Sequence, residues 1–283
     1  MATGRGHLVR ALTRRPQEPR EGIEWIEGSL EDRDALERLV TESDAVIHVA
    51  GVINASNAAG FEAGNVTGTL AMLAAATAAG TRRFVHVSSL AAREPKLSQY
   101  GASKARSEEL VRGSGLDWII VRPPAVYGPG DKETLELFRM AKAGLILLPP
   151  KGRLSLIHVD DLARLLLALA ESDSPSKDVI EPDDGRDGGW THREFASALG
   201  RAVGRRAVAL ATPRPLLRLG AAVDRFVRRD KAKLTPDRAA YFSHPDWVVS
   251  SSSAPEKDVW RPEIATEHGL AQTADWYRSE GWL

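Results

Sequence analysis

The fold is decided by two neighbouring stretches, FVHVSSLA at Phe84–Ala91 and YGASK at Tyr100–Lys104. The first is an apolar run that ends in two serines, which is typical of a strand with polar residues at its carboxyl end. In the second, Tyr100 and Lys104 are four residues apart and share one face of a helix. A tyrosine titrates near ~10 in water, and an adjacent ammonium favours its phenolate form. Such a tyrosine can exchange a proton with a substrate oxygen, which a serine hydroxyl can also bind.

A surface tyrosine beside a solvated lysine is the simpler interpretation of this pair. Tyr-x-x-x-Lys is a weak pattern by itself, because the two residue types are common on helix surfaces. The strand and the two serines before it, and another strand-like run after it, make the catalytic interpretation much more specific.

Strand-like and helix-like segments alternate from the start of the chain to about residue 172. The strand-like runs are His7–Thr13, Ile23–Glu27, Asp44–Ala50, Arg83–Ser88 and Asp117–Arg122. The helical patterns are Glu31–Thr41, Gly64–Ala79, Tyr100–Val111 and Val159–Glu171. This alternation predicts an α/β fold with a doubly wound parallel sheet and helices on both faces.

Composition excludes several classes of function. The chain has 283 residues, of which 43% are hydrophobic, and basic and acidic residues balance at 38 each. A net charge of zero gives no reason to expect a nucleic acid or a membrane as partner. The lack of cysteine excludes disulfides, thiolate catalysis and zinc–thiolate sites. The amino terminus does not resemble a secretory signal, and no apolar run is long enough to span a bilayer, so we expect a cytoplasmic protein.

Six motifs resemble those of the extended short-chain dehydrogenase/reductases, the group of NAD-dependent epimerases, dehydratases and reductases. They occur in the family's order over nearly the whole chain: DAVIHVAG (Asp44–Gly51), NVTGT (Asn65–Thr69), FVHVSSLA, YGASK, RPPAVYGPG (Arg122–Gly130) and IHVDDLA (Ile157–Ala163). The resemblance implies a Rossmann-like sheet, an NAD(P) cofactor and chemistry at a C–OH or C=O carbon of a small or nucleotide-linked substrate.

The same resemblance implies a role for each matching residue. Ser89 would contact the substrate oxygen, Tyr100 would be the acid/base, and Lys104 would bind the nicotinamide ribose and lower the tyrosine pKa. Asn65 would support the active-site backbone and a water. The residues implied at the cofactor are Gly4 in the remnant of a phosphate-binding turn, Ser29 and Leu30 at the adenine, Val49, Ala50 and Gly51 in the groove, and Pro123, Pro124 and Val126 beside the nicotinamide.

Two arginines bear on the choice of cofactor. Arg14 and Arg15 follow the first strand-like run, where an acidic residue would favour NAD by binding the ribose. A guanidinium at this place matches the 2′-phosphate of NADP. We therefore favour NADP over NAD, while a solvated turn before Pro16 is the simpler interpretation.

The family's opening strand, glycine-rich turn and helix have no counterpart in this sequence. That turn places the pyrophosphate at a helix N-terminus, and here Gly4 and Gly6 alone remain of it. Two explanations stay open: the sequence is incomplete, which we favour, or it is a shortened member of the family.

Two domains are expected. Residues 1–123 with about 156–171 form the dinucleotide-binding domain, and residues 124–155 with 172–283 form a smaller substrate-binding lobe. In that lobe, Pro213–Asp230 reads as a basic amphipathic helix with a solvated face.

Three polar residues are read as helix caps rather than metal ligands. Asp160 or Asp161 is expected to cap the helix that runs to Glu171, and Thr191 to cap the helix that follows it. We expect no metal at His158 and its neighbouring aspartates, since no further cluster of ligands is near in sequence.

Two functions remain open from the sequence. The first is an NAD(P)-dependent oxidoreductase or epimerase in which Tyr100 moves the proton; dehydration is disfavoured, because Leu90 and Ala91, not an acidic residue, follow Ser89. The second is a non-catalytic dinucleotide-binding sensor, accessory subunit or scaffold. The resemblance also implies a homodimer, paired through the helices that carry Asn65 and Tyr100.

Overall fold

The computed structural model describes residues 1–149, 151–173, 176–212 and 236–283. It divides into two compact units, one formed by Met1–Arg122 with Ala163–Ile180 and one formed by Pro123–Leu162 with Glu181–Leu283. The second unit is as long as the first rather than smaller. The helix expected over Pro213–Asp230 lies outside the described residues.

Unit 1 contains a parallel sheet of four strands. Its order is β10 (Asp178–Ile180), β5 (Asp117–Val121), β4 (Arg83–Val87) and β3 (Ala45–His48). All five residues of β4 are buried, as expected for a central strand covered on both faces. The α/β class with a parallel sheet is therefore confirmed.

Two further strands of unit 1 form a separate parallel pair. They are β1 (Val9–Thr13) and β2 (Ile23–Glu27), in register from Val9 opposite Ile23. Every residue of β1 is half-buried, in contrast to β4. A cleft of about 1570 Å³ lies between β1 and β3, and both strands line it.

Helices follow the strands of unit 1 as the alternation predicts. They are α1 (Arg33–Val40), α2 (Ala58–Phe61), α3 (Gly68–Ala78), α4 (Gln99–Arg112) and α6 (Val159–Glu171), which begins in unit 2. A π-helical segment, Glu62–Thr67, joins α2 to α3, and a 3₁₀ turn, Leu90–Arg93, follows β4. One core of this unit packs Leu36, Met72, Phe84, Trp118 and Ile120 against one another.

The domain limits differ from the expected ones at two places. Asp178–Ile180 pairs in parallel with β5, so residues 172–180 belong to unit 1. Leu156–His158 forms β9 and pairs with β6 (Ala125–Tyr127), which places it in unit 2. Both pairings join segments far apart in sequence, which local patterns do not encode.

Unit 2 is built from small sheets and a helical core. The remaining strands are β7 (Leu145–Leu148) with β12 (Val208–Ala211), and β8 (Arg153–Leu154) with β11 (Trp190–Thr191) and β13 (Asp246–Trp247). The helices are α5 (Leu135–Ala143), α7 (His192–Ala202), α8 (Pro236–Phe242) and α9 (Thr266–Ser279). Their core contains Tyr127, Phe138, Leu199, Leu270 and Tyr277.

The predicted caps have different outcomes. Thr191 caps α7 and forms a capping box with Glu194, which confirms that prediction. Asp160 and Asp161 lie in the first turn of α6, one and two residues after its start at Val159. Asp161 is buried and accepts hydrogen bonds from the backbone N–H groups of Glu263 and Ile264. Asp161 therefore binds the chain before α9, a contact that the sequence does not reveal.

Among the described residues, no helix combines the length and apolar character that a membrane crossing requires.

Candidate active site

The carboxyl end of β4 presents two serines with different environments. The Ser88 hydroxyl donates to Oε1 of the buried Glu108 at 2.6 Å. Ser89 is the N-cap of the following 3₁₀ turn, and its Oγ accepts from the Ala91 backbone N–H at 3.2 Å. Oγ of Ser89 keeps its own proton to donate, because it acts as acceptor in that bond.

Tyr100 lies in the first turn of α4, whose start is fixed by Ser98. The Ser98 side chain accepts from the Gly101 backbone N–H at 2.9 Å. The Tyr100 ring is half-buried and its centroid is 6.1 Å from that of Phe61. The cap therefore sets where the helix begins and which way the tyrosine leaves it.

Lys104 is buried one turn further along α4. Its Nζ donates to the backbone carbonyl of Val87, the last residue of β4, at 2.8 Å. Burial lowers the pKa of Lys104 to about 8, and the carboxylate of Glu108 opposes that shift. Lys104 therefore has a pKa only slightly above physiological pH, and its ammonium lies at the end of β4, two residues before Ser89.

Asn65 connects the loop after β3 to α4. Its Oδ1 accepts from the Val52 N–H at 2.6 Å, and its Nδ2 donates to the Val52 carbonyl at 2.9 Å and to Ser103 Oγ at 2.8 Å. Ser103 in turn donates to the Tyr100 carbonyl at 2.7 Å. All of these groups lie in unit 1, so one buried amide positions the loop and the tyrosine turn together.

Gly51 is required here for close packing. A Cβ built on it would lie 2.9 Å from Asn65 Oδ1 and 3.6 Å from Lys104 Nζ. Its backbone therefore passes directly over the buried amide and ammonium. Val49, Ala50 and Gly51 are exposed at the end of β3 and form a surface that a ligand can reach.

A pair of stacked histidines lies under this site. His48 of β3 and His86 of β4 are opposite each other in register, with ring centroids 5.5 Å apart and an angle of 19° between the ring planes. Burial, and then the charge of Lys104, lowers the pKa of His48 to about 3 and that of His86 well below its usual value. Both imidazoles are therefore neutral at physiological pH.

The hydrogen bonds assign the tautomers of the two histidines. Ser107 donates its hydroxyl proton to the Lys104 carbonyl, and Thr69 donates its own to the Asn65 carbonyl. The Nε2 atoms of His86 and His48, at 3.0 and 3.1 Å from these hydroxyls, must then be the donors. Each histidine thus supports the backbone of one candidate catalytic residue.

A buried carboxylate fixes the other side of α4. Glu108 accepts two bonds from Arg122, at 2.8 and 2.7 Å, a third from Arg112 at 3.0 Å, and the bond from Ser88. This bidentate geometry is the strong form of a charged pair. The sequence motifs do not reveal the roles of Glu108 and the two histidines, because their partners are distant in sequence. The matching positions of His48 and His86 in neighbouring strands are a signal that the sequence does carry.

The other expected cofactor residues are not joined to this cluster by any hydrogen bond between described residues. Arg14 and Arg15 are exposed after β1, and Gly4 is exposed in the 3₁₀ turn Thr3–Arg5. Ser29 Oγ accepts from the Glu31 N–H at 3.2 Å, and Leu30 contacts α3 near Gly68.

The three residues expected beside the nicotinamide belong to unit 2. Pro123 and Pro124 begin that unit, and Val126 lies in β6 opposite Ile157. Their distance from the nicotinamide stays a prediction.

Comparison with known proteins gives this chain a family. Residues 1–181 match the model of the NAD dependent epimerase/dehydratase family. Ceramide reductase of Caulobacter vibrioides is 38% identical over 296 residues, which cover 98% of this chain and 92% of that protein. A 4-hydroxy-2-methyl-3-oxo-4-farnesyl-3,4-dihydroquinoline-1-oxide ketoreductase of Stigmatella aurantiaca is 34% identical over 151 residues, 45% of each chain.

Solved structures agree on the fold. The enzyme WbmG of Bordetella bronchiseptica in complex with NAD superposes with a TM-score of 0.73 at 20% identity, covering 99% of this chain and 89% of that one. UDP-N-acetylglucosamine 4-epimerase from Bacillus cereus gives a TM-score of 0.71 at 17% identity, covering 98% and 90%.

The parallel sheet, together with these matches, defines an enzyme of the short-chain dehydrogenase/reductase class. Within that class the chain belongs to the NAD dependent epimerase/dehydratase family. The resemblance seen in the sequence motifs is confirmed.

Proposed function

We propose that this enzyme reduces a ketone, with Tyr100 as the proton donor. The observation that carries the proposal is the buried network that joins Asn65 through Ser103 to the backbone carbonyl of Tyr100. The Lys104 ammonium is held separately by the Val87 carbonyl, and Gly51 packs against both Asn65 and Lys104. Such a network fixes an acid and a cation before any ligand binds, which is what proton transfer in the transition state requires.

Each side chain has a defined task in this reaction. When bound, the reduced nicotinamide supplies the hydride that the carbonyl carbon accepts. Tyr100 donates its phenolic proton to the carbonyl oxygen, and Ser89 donates a hydrogen bond to the same oxygen. Lys104 favours the tyrosinate left behind through its charge.

The exposed end of β3 suits a dinucleotide. Val49, Ala50 and Gly51 are exposed, and a Cβ built on Gly51 would lie 3.6 Å from Lys104 Nζ, which can donate to ribose hydroxyls. We infer NADP rather than NAD, because the exposed Arg14 and Arg15 can pair with a 2′-phosphate.

Net reduction is favoured over epimerisation by the names of the relatives. One relative that matches nearly the whole chain is a ceramide reductase, and another, which matches 45% of it, is a ketoreductase whose name includes a farnesyl group. We therefore propose that the substrate is a long-chain, lipid-like ketone rather than a nucleotide-linked molecule. The residues after Ser89, Leu90 and Ala91, are buried and apolar. Neither can act as the acid that a dehydration would need, which favours reduction over dehydration.

The test is oxidation of NADPH and of NADH by the full chain. A long-chain 3-oxo amide in detergent micelles and a UDP-sugar serve as the two substrate classes. We expect turnover of the amide with NADPH, and a loss of about 10²- to 10⁴-fold in kcat for Tyr100→Phe.

Cofactor affinity separates the competing function. Tyr100→Phe keeps every ring contact, so NADPH binding by calorimetry should stay unchanged while turnover falls. A non-catalytic sensor would bind NADPH and show no turnover in the wild type with either substrate class. Turnover of the UDP-sugar alone would refute the lipid-like substrate and leave the role of Tyr100 intact.

We also propose a homodimer. Helix α3 is rich in alanine and leucine, and its Leu70 is about half exposed on the helix next to α4. A second copy of the chain could cover this apolar side chain. A monomeric mass by light scattering, unchanged in Leu70→Arg, would contradict this proposal.

A further inference from the structure

An exposed aliphatic face lies on the small sheet of unit 2. In the parallel pair of β7 and β12, Val208 is opposite Leu145, and Leu210 is opposite Leu147. Side chains two residues apart in a strand point to the same face. The four are 44% to 58% exposed, whereas Ile146 on the opposite face is fully buried in the core of the unit. We call Leu145, Leu147, Val208 and Leu210 the aliphatic patch.

Basic residues flank both strands of the aliphatic patch in sequence. Lys142 precedes β7, Lys151 follows it, and Arg205 with Arg206 precede β12; all four are exposed. The backbone of Arg206 lies beside Gly144, so the two strand starts are adjacent. None of these four cations forms an ion pair with another residue in the described part of the chain. Residues 141–149 and 203–212 contain no acidic side chain.

Sequence continues this charge asymmetry beyond β12. Residues 213–233 contain seven basic and two acidic side chains. The zero net charge of the whole chain therefore hides an excess of cations in the sequence that precedes and follows β12. Whole-chain charge was the reason to expect no membrane partner, and it does not apply to this face.

We propose that the aliphatic patch and its basic rim bind the surface of an anionic lipid bilayer. Aliphatic side chains can insert among acyl chains while lysine and arginine bind the headgroups around them. Contiguous apolar patches that are rimmed by charge commonly mark such interaction sites. Binding of this kind is peripheral.

The proposal does not rest on the proposed reaction. Vesicle binding needs neither substrate nor cofactor, so its failure and the failure of the ketone reductase assignment are separate results. If both hold, the enzyme would meet a lipid-like ketone at the surface where that substrate resides.

Flotation of the full chain with lipid vesicles tests the proposal. We expect the protein to float with vesicles of phosphatidylcholine and about 30 mol% phosphatidylglycerol at about 0.1 M salt. Neutral phosphatidylcholine vesicles should bind at least about tenfold less, since each cation near an anionic surface contributes about fivefold. Binding should also weaken at about 0.5 M salt.

Matched variants separate the two components of the surface. Leu147→Ser/Leu210→Ser should lower the vesicle partition coefficient by about tenfold or more. Leu8→Ser/Ile53→Ser makes the same change at exposed aliphatic residues of unit 1 and should leave it unchanged. Arg205→Gln/Arg206→Gln should lower binding to anionic vesicles alone, and the control is Arg20→Gln/Lys96→Gln at exposed residues of unit 1.

Three results would overturn the proposal. One is a folded, monodisperse chain that stays with the protein fraction at every lipid composition. Another is binding that survives Leu147→Ser/Leu210→Ser. The third is a wild type that does not bind vesicles together with a Leu147→Ser/Leu210→Ser variant whose mass by light scattering differs from that of the wild type. That result would assign the patch to contact with a second copy of the chain.

Discussion

The four-stranded sheet of unit 1 and the separate pair of β1 and β2 are built differently. On the side of β4 and α4, Asn65, Lys104 and Glu108 are buried and hydrogen-bonded. On the side of β1, the strand is half-buried along its whole length, and Arg14 and Arg15 are exposed beyond it. The residues that support Tyr100 are therefore fixed by burial, while the arginines that we propose for the 2′-phosphate are open to solvent. Substitutions on the first side should be costly, and those on the second should change ligand affinity alone.

Glu108→Gln should have the largest effect on stability. It removes the buried carboxylate that pairs with Arg122 and Arg112, and breaking a buried pair typically costs about 3 to 5 kcal/mol. Urea unfolding should show this loss in the free energy of unfolding. Glu37→Gln removes the exposed pair with Arg33 and should cost under about 1 kcal/mol. Equal losses in the two variants would contradict the contrast between buried and exposed sites.

Lys104 should make stability depend on pH. Its folded pKa of about 8 is below the usual 10.5, so between these values the unfolded chain holds a proton that the folded chain has released. The free energy of unfolding should then rise with pH across this window, by up to about 3 kcal/mol. Below pH 8 both states carry the proton and the contribution is flat.

Lys104→Met isolates that contribution. The variant should lose the rise between pH 8 and 10.5, while the exposed Lys96→Met retains it. Denaturant unfolding at a series of pH values measures both. A rise that persists in Lys104→Met would assign it to another group.

Gly51→Ala should have an intermediate effect, on activity. The new Cβ would lie 2.9 Å from Asn65 Oδ1 and must displace that amide. A shift of the loop relative to Tyr100 should lower kcat/KM by about tenfold, or about 1.4 kcal/mol. Gly113→Ala, in the exposed turn after α4, adds a methyl group in ordinary contact with the Glu109 carbonyl oxygen at 3.5 Å and should leave kcat/KM unchanged.

Arg14→Ala/Arg15→Ala should have the smallest effect. An exposed guanidinium and a phosphate are screened by solvent, so the affinity for NADPH should fall by about tenfold at most. Affinity for NADH should stay the same, since that cofactor lacks the 2′-phosphate. Calorimetric titration with both cofactors measures the ratio, and an equal loss for both would refute the preference for NADP.

Sequence patterns located most of unit 1 because each element there carries a local signal. Ile23–Glu27 and Val159–Glu171 form the predicted strand and helix with the predicted limits, and Tyr100 and Lys104 lie on one helix as expected. What the patterns missed depends on pairing between distant segments. Strand β10 is recognisable only beside β5, and the role of Glu108 only once Arg122 lies next to it.

Unit 2 shows the same limit more strongly. Its strands are two to four residues long, shorter than any periodic pattern can define. The sequence position of Asp160 and Asp161 allows either to be a helix cap, whereas the Asp161 carboxylate accepts hydrogen bonds from the backbone of Glu263 and Ile264. A side chain's partner is a property of the fold and not of the motif.

The π-helical segment Glu62–Thr67 limits which insertions and deletions this part of the chain can accept. A π turn contains one residue more than an α turn, and this extra residue sets the direction in which Asn65 leaves the helix. Deleting one residue between Glu62 and Gly64 would allow a regular α-helix and rotate the amide away from Val52 and Ser103 by roughly 100°. An insertion or deletion that a surface helix would tolerate should therefore break the contacts of Asn65 with Val52 and Ser103, although Ser89, Tyr100 and Lys104 are unchanged.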